Sequence, residues 1–327
     1  MSTMQSLRLL VAGCAAALTL AACGGGSDNS TESTPTVANT TGNAGGSGGT
    51  GATTPTEASA PALTGDIATD GLNWINFRRS QIGVAQLTRS TTIDQAALGH
   101  SNYQKNNNTV SHEQVAGKTG FTGAQLGDRL AQAGYVFNTS ASRAYGEVIS
   151  ATTNKSGVFM AEELITAIYH RFVIFEPIFK ELGSGAATTS SGYTYFTTDF
   201  AANNGYGNGI NGLVVWPYSG QVNVAPNFLS DYESPDPVPN QNEVGYPVSV
   251  HANISATVTV QSFTIRPRGG SDMTVRLLAR AVDAETPVSA AAIVPLTPLR
   301  AGTVYDVSFI GAVNGTAVTQ NWSFTTK

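Results

Sequence analysis

The chain has 327 residues, a formal net charge of −5, 12% charged residues and two cysteines, Cys14 and Cys23. An acidic balance without any Lys/Arg run excludes a nucleic-acid footprint, so no nucleic-acid partner is expected. Cysteines confined to the first stretch exclude disulfides, thiolate metal sites and a cysteine nucleophile from everything that follows.

Residues 1–22 carry Arg8 as their only charge and run apolar from Leu9 to Ala22. That is the anatomy of a secretory signal peptide, too short for a comfortable membrane span of about 20 apolar residues. Leu20-Ala21-Ala22-Cys23 resembles a bacterial lipobox, which implies lipidation of Cys23 and a membrane anchor through it. Gly24 rather than Asp follows the cysteine, which in Gram-negative lipoproteins favours the outer membrane. Residues 23–64 are rich in Gly, Ser, Thr, Asn and Pro, as in Gly45-Gly46-Ser47-Gly48-Gly49. Such a composition buries too little apolar surface to offset the entropy of ordering, and reads as a flexible linker.

The first folded region is read as 65–204. Leu72–Arg79 has helical spacing stopped by Gly83, and Thr91 with Asp94 forms a capping-box pattern that opens a second helix. Helical spacing returns at Ala124–Tyr135 and over Val158–His170, where Val158, Ala161, Ile165 and Ile168 share a face. Tyr193–Phe200 reads as a strand, so the region is α+β.

An ordered set of short motifs runs through this region: Asn76-x-x-Arg79, Ala97-x-x-His100-Ser101, Ser111-His112, Arg129 with Ala133-Gly134-Tyr135, Gly146-Glu147, His170-Arg171, Glu176-Pro177, Leu182-Gly183 and Tyr195–Phe200. Together they resemble the CAP superfamily, the SCP/PR-1-like extracellular domain. The resemblance implies a three-layer α-β-α sandwich whose cleft gathers His112, Glu147 and His170. It further implies Zn²⁺ or another divalent metal on His112 and His170, with Glu147 as the candidate catalytic base. Two positions depart from the family pattern: Val148 stands where an Asn usually follows the Gly-Glu pair, and Ala167 where some members carry a second Glu. His100 shares a face with Ile93 and Ala97 and reads as a packed, hydrogen-bonded core histidine.

Two tempting motifs fail. His112-Glu113-x-x-Ala116 lacks the second His of a zincin helix. Gly207-x-Gly209-x-x-Gly212 leads into a strand with Pro217 rather than the helix that phosphate binding needs, and reads as a hinge.

Residues 212–327 show strand signals only, at Leu213–Trp216, Ser249–His251, Ala256–Thr264, Met273–Leu278, Ala291–Pro295, Val304–Ile310 and Gln320–Thr326. Asn314-Gly315 marks a hairpin turn. About seven strands in about 110 residues suggest an Ig-like β-sandwich, similar to those of bacterial envelope proteins. The two regions are expected to fold independently and to meet near Gly205–Gly212.

The leading functional reading is a lipid-anchored cell-envelope module, non-catalytic, whose cleft binds an apolar or envelope ligand or a partner. The alternatives are a metal-dependent hydrolase with Glu147 as general base, and a structural or adhesive surface protein.

Overall fold

The computed structural model describes residues 57–327. The expectations for the signal peptide, Cys23 and the linker up to residue 56 lie outside the described residues. The last part of the expected linker is instead held on the fold. The Glu57 carboxylate accepts two hydrogen bonds from the Arg78 guanidinium (2.6 and 2.8 Å), and the Thr64 N–H and hydroxyl both donate to Asp70 (2.7 Å).

The first region is built from α1 (Ile67–Gln81), β1 (Thr88–Arg89), α2 (Thr91–Asn107), α3 (Leu126–Gln132), β2 (Ala144–Thr152), α4 (Gly157–Thr166), α5 (Ile168–Ile174), β3 (Glu181–Thr188) and β4 (Thr194–Ala202). Helix α2 is capped one residue earlier than the sequence pattern predicts. Ser90 Oγ accepts from the Ile93 N–H, while Asp94 is drawn away to Arg89 and the Ser184 N–H.

The strands form one sheet in the order β1-β3-β4-β2, antiparallel except where β1 runs parallel to β3. Alternation along the strands separates its two faces. Gly183 and Gly185 lie under α2, and a Cβ on either would come within 2.3 Å of the α2 backbone. These glycines let α2 settle directly on the sheet, above Thr197 and Asp199, their neighbours on β4. The opposite face carries Gly146, Val148 and Ser150 of β2. There α1, α4 and α5 pack, with Val173 so near that a Cβ on Gly146 would meet it at 2.8 Å. Helices on both faces of a central sheet give three layers.

The single helix expected over Val158–His170 is two. Ala167 is extended (φ −66°, ψ 119°) and divides α4 from α5. The break exposes N–H and C=O groups that would otherwise pair along a helix, and charged side chains take both sets. The Glu233 carboxylate accepts from the N–H groups of Ile168, Tyr169 and His170 (2.8, 2.7 and 3.2 Å). On the other side, Arg171 donates to the carbonyls of Ile165 and Thr166 (2.5 and 3.2 Å).

The remainder comprises β5 (Val214–Trp216), β6 (Asn227–Leu229), a 3₁₀ turn at Ser230–Tyr232, β7 (Glu243–Gly245), β8 (Val248–His251), β9 (Val258–Pro267), β10 (Val275–Ala279), β11 (Ala290–Pro295), β12 (Val304–Val313) and β13 (Thr316–Thr325). A four-stranded sheet, β10-β11-β8-β5, and a three-stranded sheet, β13-β12-β9, send Val250, Ile293, Phe263, Val307 and Phe309 into one apolar cluster. Strands β12 and β13 turn at Asn314-Gly315, both with positive φ (51° and 79°), as a two-residue hairpin requires.

That cluster does not stop at residue 212. It continues through Trp216 and Tyr246 to Ile174, Phe175 and Trp74 of the first region, and the Phe175 ring lies tilted at 5.1 Å from Trp216 and edge-on at 5.6 Å from His251. A second cluster joins Ile168, Tyr169 and Phe172 of α5 to Val244, Leu278 and Val294. The expected hinge is therefore a join across a common core, because α5 is buried at every position and needs apolar partners on both sides. Among the described residues no helix is long and apolar enough to cross a membrane.

Candidate functional site

On the α2 face of the sheet, Glu147 of β2 is fully buried and held from two directions. Arg129 of α3 donates to its Oε2 (2.7 Å), and His112 Nδ1 lies 2.8 Å from its Oε1. Burial favours the neutral acid here. The Arg129 charge, His100 and the hydrogen bond from His112 outweigh it, holding the Glu147 carboxyl well below the usual carboxylate range. An ionised carboxylate only accepts, so His112 must carry its proton on Nδ1. In the neutral ring Nε2 is a lone pair, and here it is buried and without a hydrogen-bond partner. Arg129 also donates to the His112 carbonyl (2.8 Å), fixing the loop that carries the histidine.

His100 completes the cluster, with Nε2 at 3.9 Å from Glu147 Oε1. Its own bonds fix its state: Nε2 faces the Ser111 carbonyl at 2.7 Å and so donates, and Nδ1 accepts from the Gln114 amide at 2.9 Å. Burial, chiefly, drives its pKa down to about 4 against the opposing charge of Glu147, so the ring is neutral. The reading of His100 as a packed core histidine describes its burial and bonding, yet it also lies beside the Glu147 carboxylate.

Asp199 of β4 is the direct cross-strand partner of Glu147. It is completely buried, and neither carboxyl oxygen receives a donor. Burial first, and then the negative charge of Glu147, push its pKa well above the ordinary value.

His170 does not join this cluster. Its Nδ1 is 3.0 Å from Glu233 Oε1, and both side chains are wholly buried. The cause is the break at Ala167. It starts α5 on the sheet face that carries Gly146 and Ser150, and the carboxylate capping that helix also binds the ring. Glu163 of α4 lies on the same side, accepting from Ser150 Oγ (2.8 Å). The expected convergence of His112, Glu147 and His170 is corrected accordingly: the first two meet, and the third sits across the sheet.

This geometry does not fit a divalent metal. Both oxygens of Glu147 are already engaged and His112 Nδ1 carries a proton, which leaves His112 Nε2 as one free donor atom. Among the described residues, no group of three or more His, Cys, Asp or Glu is arranged to hold a metal ion. As a base Glu147 is also poorly placed, because a carboxylate held in its charged form by Arg129 takes up a proton weakly. Its evident action is on His112, whose tautomer it sets.

The sequence pointed to His112 and Glu147 and missed the parts played by Arg129, Asp199 and Glu233. Arg129 had a signal, since it stood among the ordered motifs. Asp199 lay unremarked within the Tyr195–Phe200 run, and only strand register shows it beside Glu147.

Residues 72–200 match the family described as CAP, the cysteine-rich secretory protein family. No curated protein matches the chain. Among solved structures, it is similar to an extracellular protein containing an SCP domain from Bacillus anthracis, at 24% identity over 41% of this chain and 39% of that one, with a TM-score of 0.34. It is also similar to an outer surface protein from Borrelia burgdorferi, at 14% identity over 40% of this chain and 89% of that one, again with a TM-score of 0.34. The chain spans about two fifths of the Bacillus protein's length. Residues 72–200 thus carry a CAP domain.

Proposed function

We propose that the chain is a lipid-anchored module of the bacterial cell envelope whose CAP cleft binds a ligand and does no chemistry on it. The observation that carries this reading is His112 Nε2, a buried lone pair with no partner, presented by a ring that Glu147 and Arg129 hold in one tautomer. Such a group recognises a ligand that offers a hydroxyl or amine donor. No side-chain hydroxyl is hydrogen-bonded to that nitrogen, so the cluster lacks the activated nucleophile of an acyl-transfer site. The β-rich region beyond residue 212, read as an Ig-like sandwich, supports the domain through their common core. Cys23 supplies the anchor, with the outer membrane as the favoured site.

The hydrolase reading has one observation in its favour, the His112–Glu147 pair, and within it the base is His112 rather than Glu147. One experiment separates the two. The full chain carrying Cys23→Ser is incubated with a solvent extract of bacterial envelope lipids and with isolated cell wall, then examined by native mass spectrometry. A retained adduct that disappears in His112→Ala supports the binding reading. Turnover of either material that stops in His112→Ala, with no retained adduct, replaces it with the hydrolase.

A further inference from the structure

Two buried carboxyls face one guanidinium on the α2 side of the sheet. Glu147 receives Arg129 on Oε2 and His112 on Oε1, whereas Asp199, directly opposite on β4, receives no donor on either oxygen. Directly opposed cross-strand residues place their Cβ atoms about 5 Å apart. A pair of buried anions at that range, with one neutralising cation, is strongly unfavourable. The acid with two donors keeps the charge, and the acid with none keeps the proton.

We propose that Asp199 is the positioning residue of the cleft, carried as a neutral acid whose O–H is donated to Glu147. That bond clamps the carboxylate against Arg129 and His112, and so fixes which nitrogen of His112 faces a ligand. The absence of any donor to Asp199 then has a plain cause, since a protonated carboxyl satisfies itself by donating. Every charged or titratable neighbour agrees with this assignment. From β2 comes Glu147, an anion that wants a donor. Helix α3 supplies Arg129, whose two terminal nitrogens go to the His112 carbonyl and Glu147 and whose buried Nε–H reaches neither Asp199 oxygen. Helix α2 supplies His100, whose Nε2–H is spent on the Ser111 carbonyl. His112, from the loop before α3, gives its N–H to Glu147. On its other flank Asp199 meets Gly183 of β3, which has no side chain to offer. The shift in the acidity of Asp199 runs the same way. The functional consequence rests on His112 being the group that meets the ligand, whereas the protonation of Asp199 stands apart from it.

The test uses the full chain carrying Cys23→Ser, so that lipid ester carbonyls do not mask the acid band. Infrared difference spectra of wild type against Asp199→Asn at pH 7 are expected to show one protonated-carboxyl band that shifts in D₂O and is lost in the variant. Nitrogen-15 spectra are expected to keep His112 as the Nδ1–H tautomer in Asp199→Asn, whose amide still donates. In Asp199→Ala they are expected to show a tautomer mixture. Absence of the acid band at pH 7 overturns the proposal. So does an Asp199→Asn variant that loses the single tautomer. If Asp199→Ala fails to fold, the infrared and Asp199→Asn results still decide. Failure to find a ligand in the envelope extract leaves both spectra unchanged, so the two readings fail separately.

Discussion

At the residue scale, the site is a charge arrangement centred on one buried carboxylate, Glu147. Arg129 serves Glu147 and the His112 carbonyl together, so Arg129→Met strands a buried carboxylate. The expected cost is about 3–5 kcal/mol, measured by urea unfolding at pH 7; a loss under about 1 kcal/mol contradicts the account. His100 makes a second prediction, on pH. Its pKa is depressed to about 4 in the fold, against about 6.5 when unfolded. The neutral ring therefore contributes its full stability above pH ~6.5, and that contribution is lost as pH falls from there toward 4. The span corresponds to about 3 kcal/mol. His251, buried and depressed to about 3, acts in the same direction. His100→Asn should flatten this acid slope without abolishing it, as read from denaturation midpoints across pH 4 to 7, and an unchanged slope would count against a neutral buried ring.

The decisive element is α5. Its N-terminal amides and the His170 ring all depend on Glu233, a residue on the β-rich side of the chain. Glu233→Ala leaves three backbone donors and a ring N–H buried without acceptors, at about 1–3 kcal/mol each for groups that find no water. More than about 3 kcal/mol of lost stability is expected in urea. A variant as stable as wild type would mean that α5 does not need its cap. The same element shows what the sequence could and could not tell. Spacing found the helical character of 158–170, because Val158, Ala161, Ile165 and Ile168 repeat on one face. It could not find the break at Ala167, whose cause is a carboxylate remote in sequence. With the break went the placement of His170, since a residue carried to the opposite side of a sheet looks the same in a motif. Glu147 was legible because it stands in the Gly146-Glu147 motif that carries the family resemblance, and Asp199 was not, because register pairs it with Glu147 only once the sheet is formed. The long strands β9, β12 and β13 alternate strongly and were read. Strands β6 and β7 span three residues each and left no periodicity to read.

For the whole molecule, the common core predicts a single unfolding event. Phe175 packs on Trp216 and His251, Arg171 reaches the Pro247 carbonyl (2.7 Å) and Ser249 (3.2 Å), and the Glu176 carboxylate accepts from the Ile254 N–H (3.2 Å). Burial chiefly pushes the Glu176 pKa up to about 8, against the hydrogen bonds from the Ile178 and Ile254 N–H groups and the charge of Arg79. Calorimetry on the full chain is expected to give one cooperative transition, and a fragment of residues 57–204 is expected to aggregate with Ile168, Phe172 and Phe175 exposed. Two separated transitions would restore the picture of independent domains. The proposed anchor has its own test: Cys23→Ser should shift the chain from the membrane fraction to the soluble one, and unchanged fractionation would refute lipidation.

The central claim is that His112 and Glu147 form one buried cluster while Glu233 keeps His170 apart from it. Nitrogen-15 spectra of the histidine rings, recorded during a titration with Zn²⁺ at pH 7, test it most directly. The account predicts two separate Nδ1–H tautomers for His112 and His170, with no shift shared by the two rings. Joint and stoichiometric shifts of both rings at one equivalent of Zn²⁺ would show them sharing an ion, and would contradict the account.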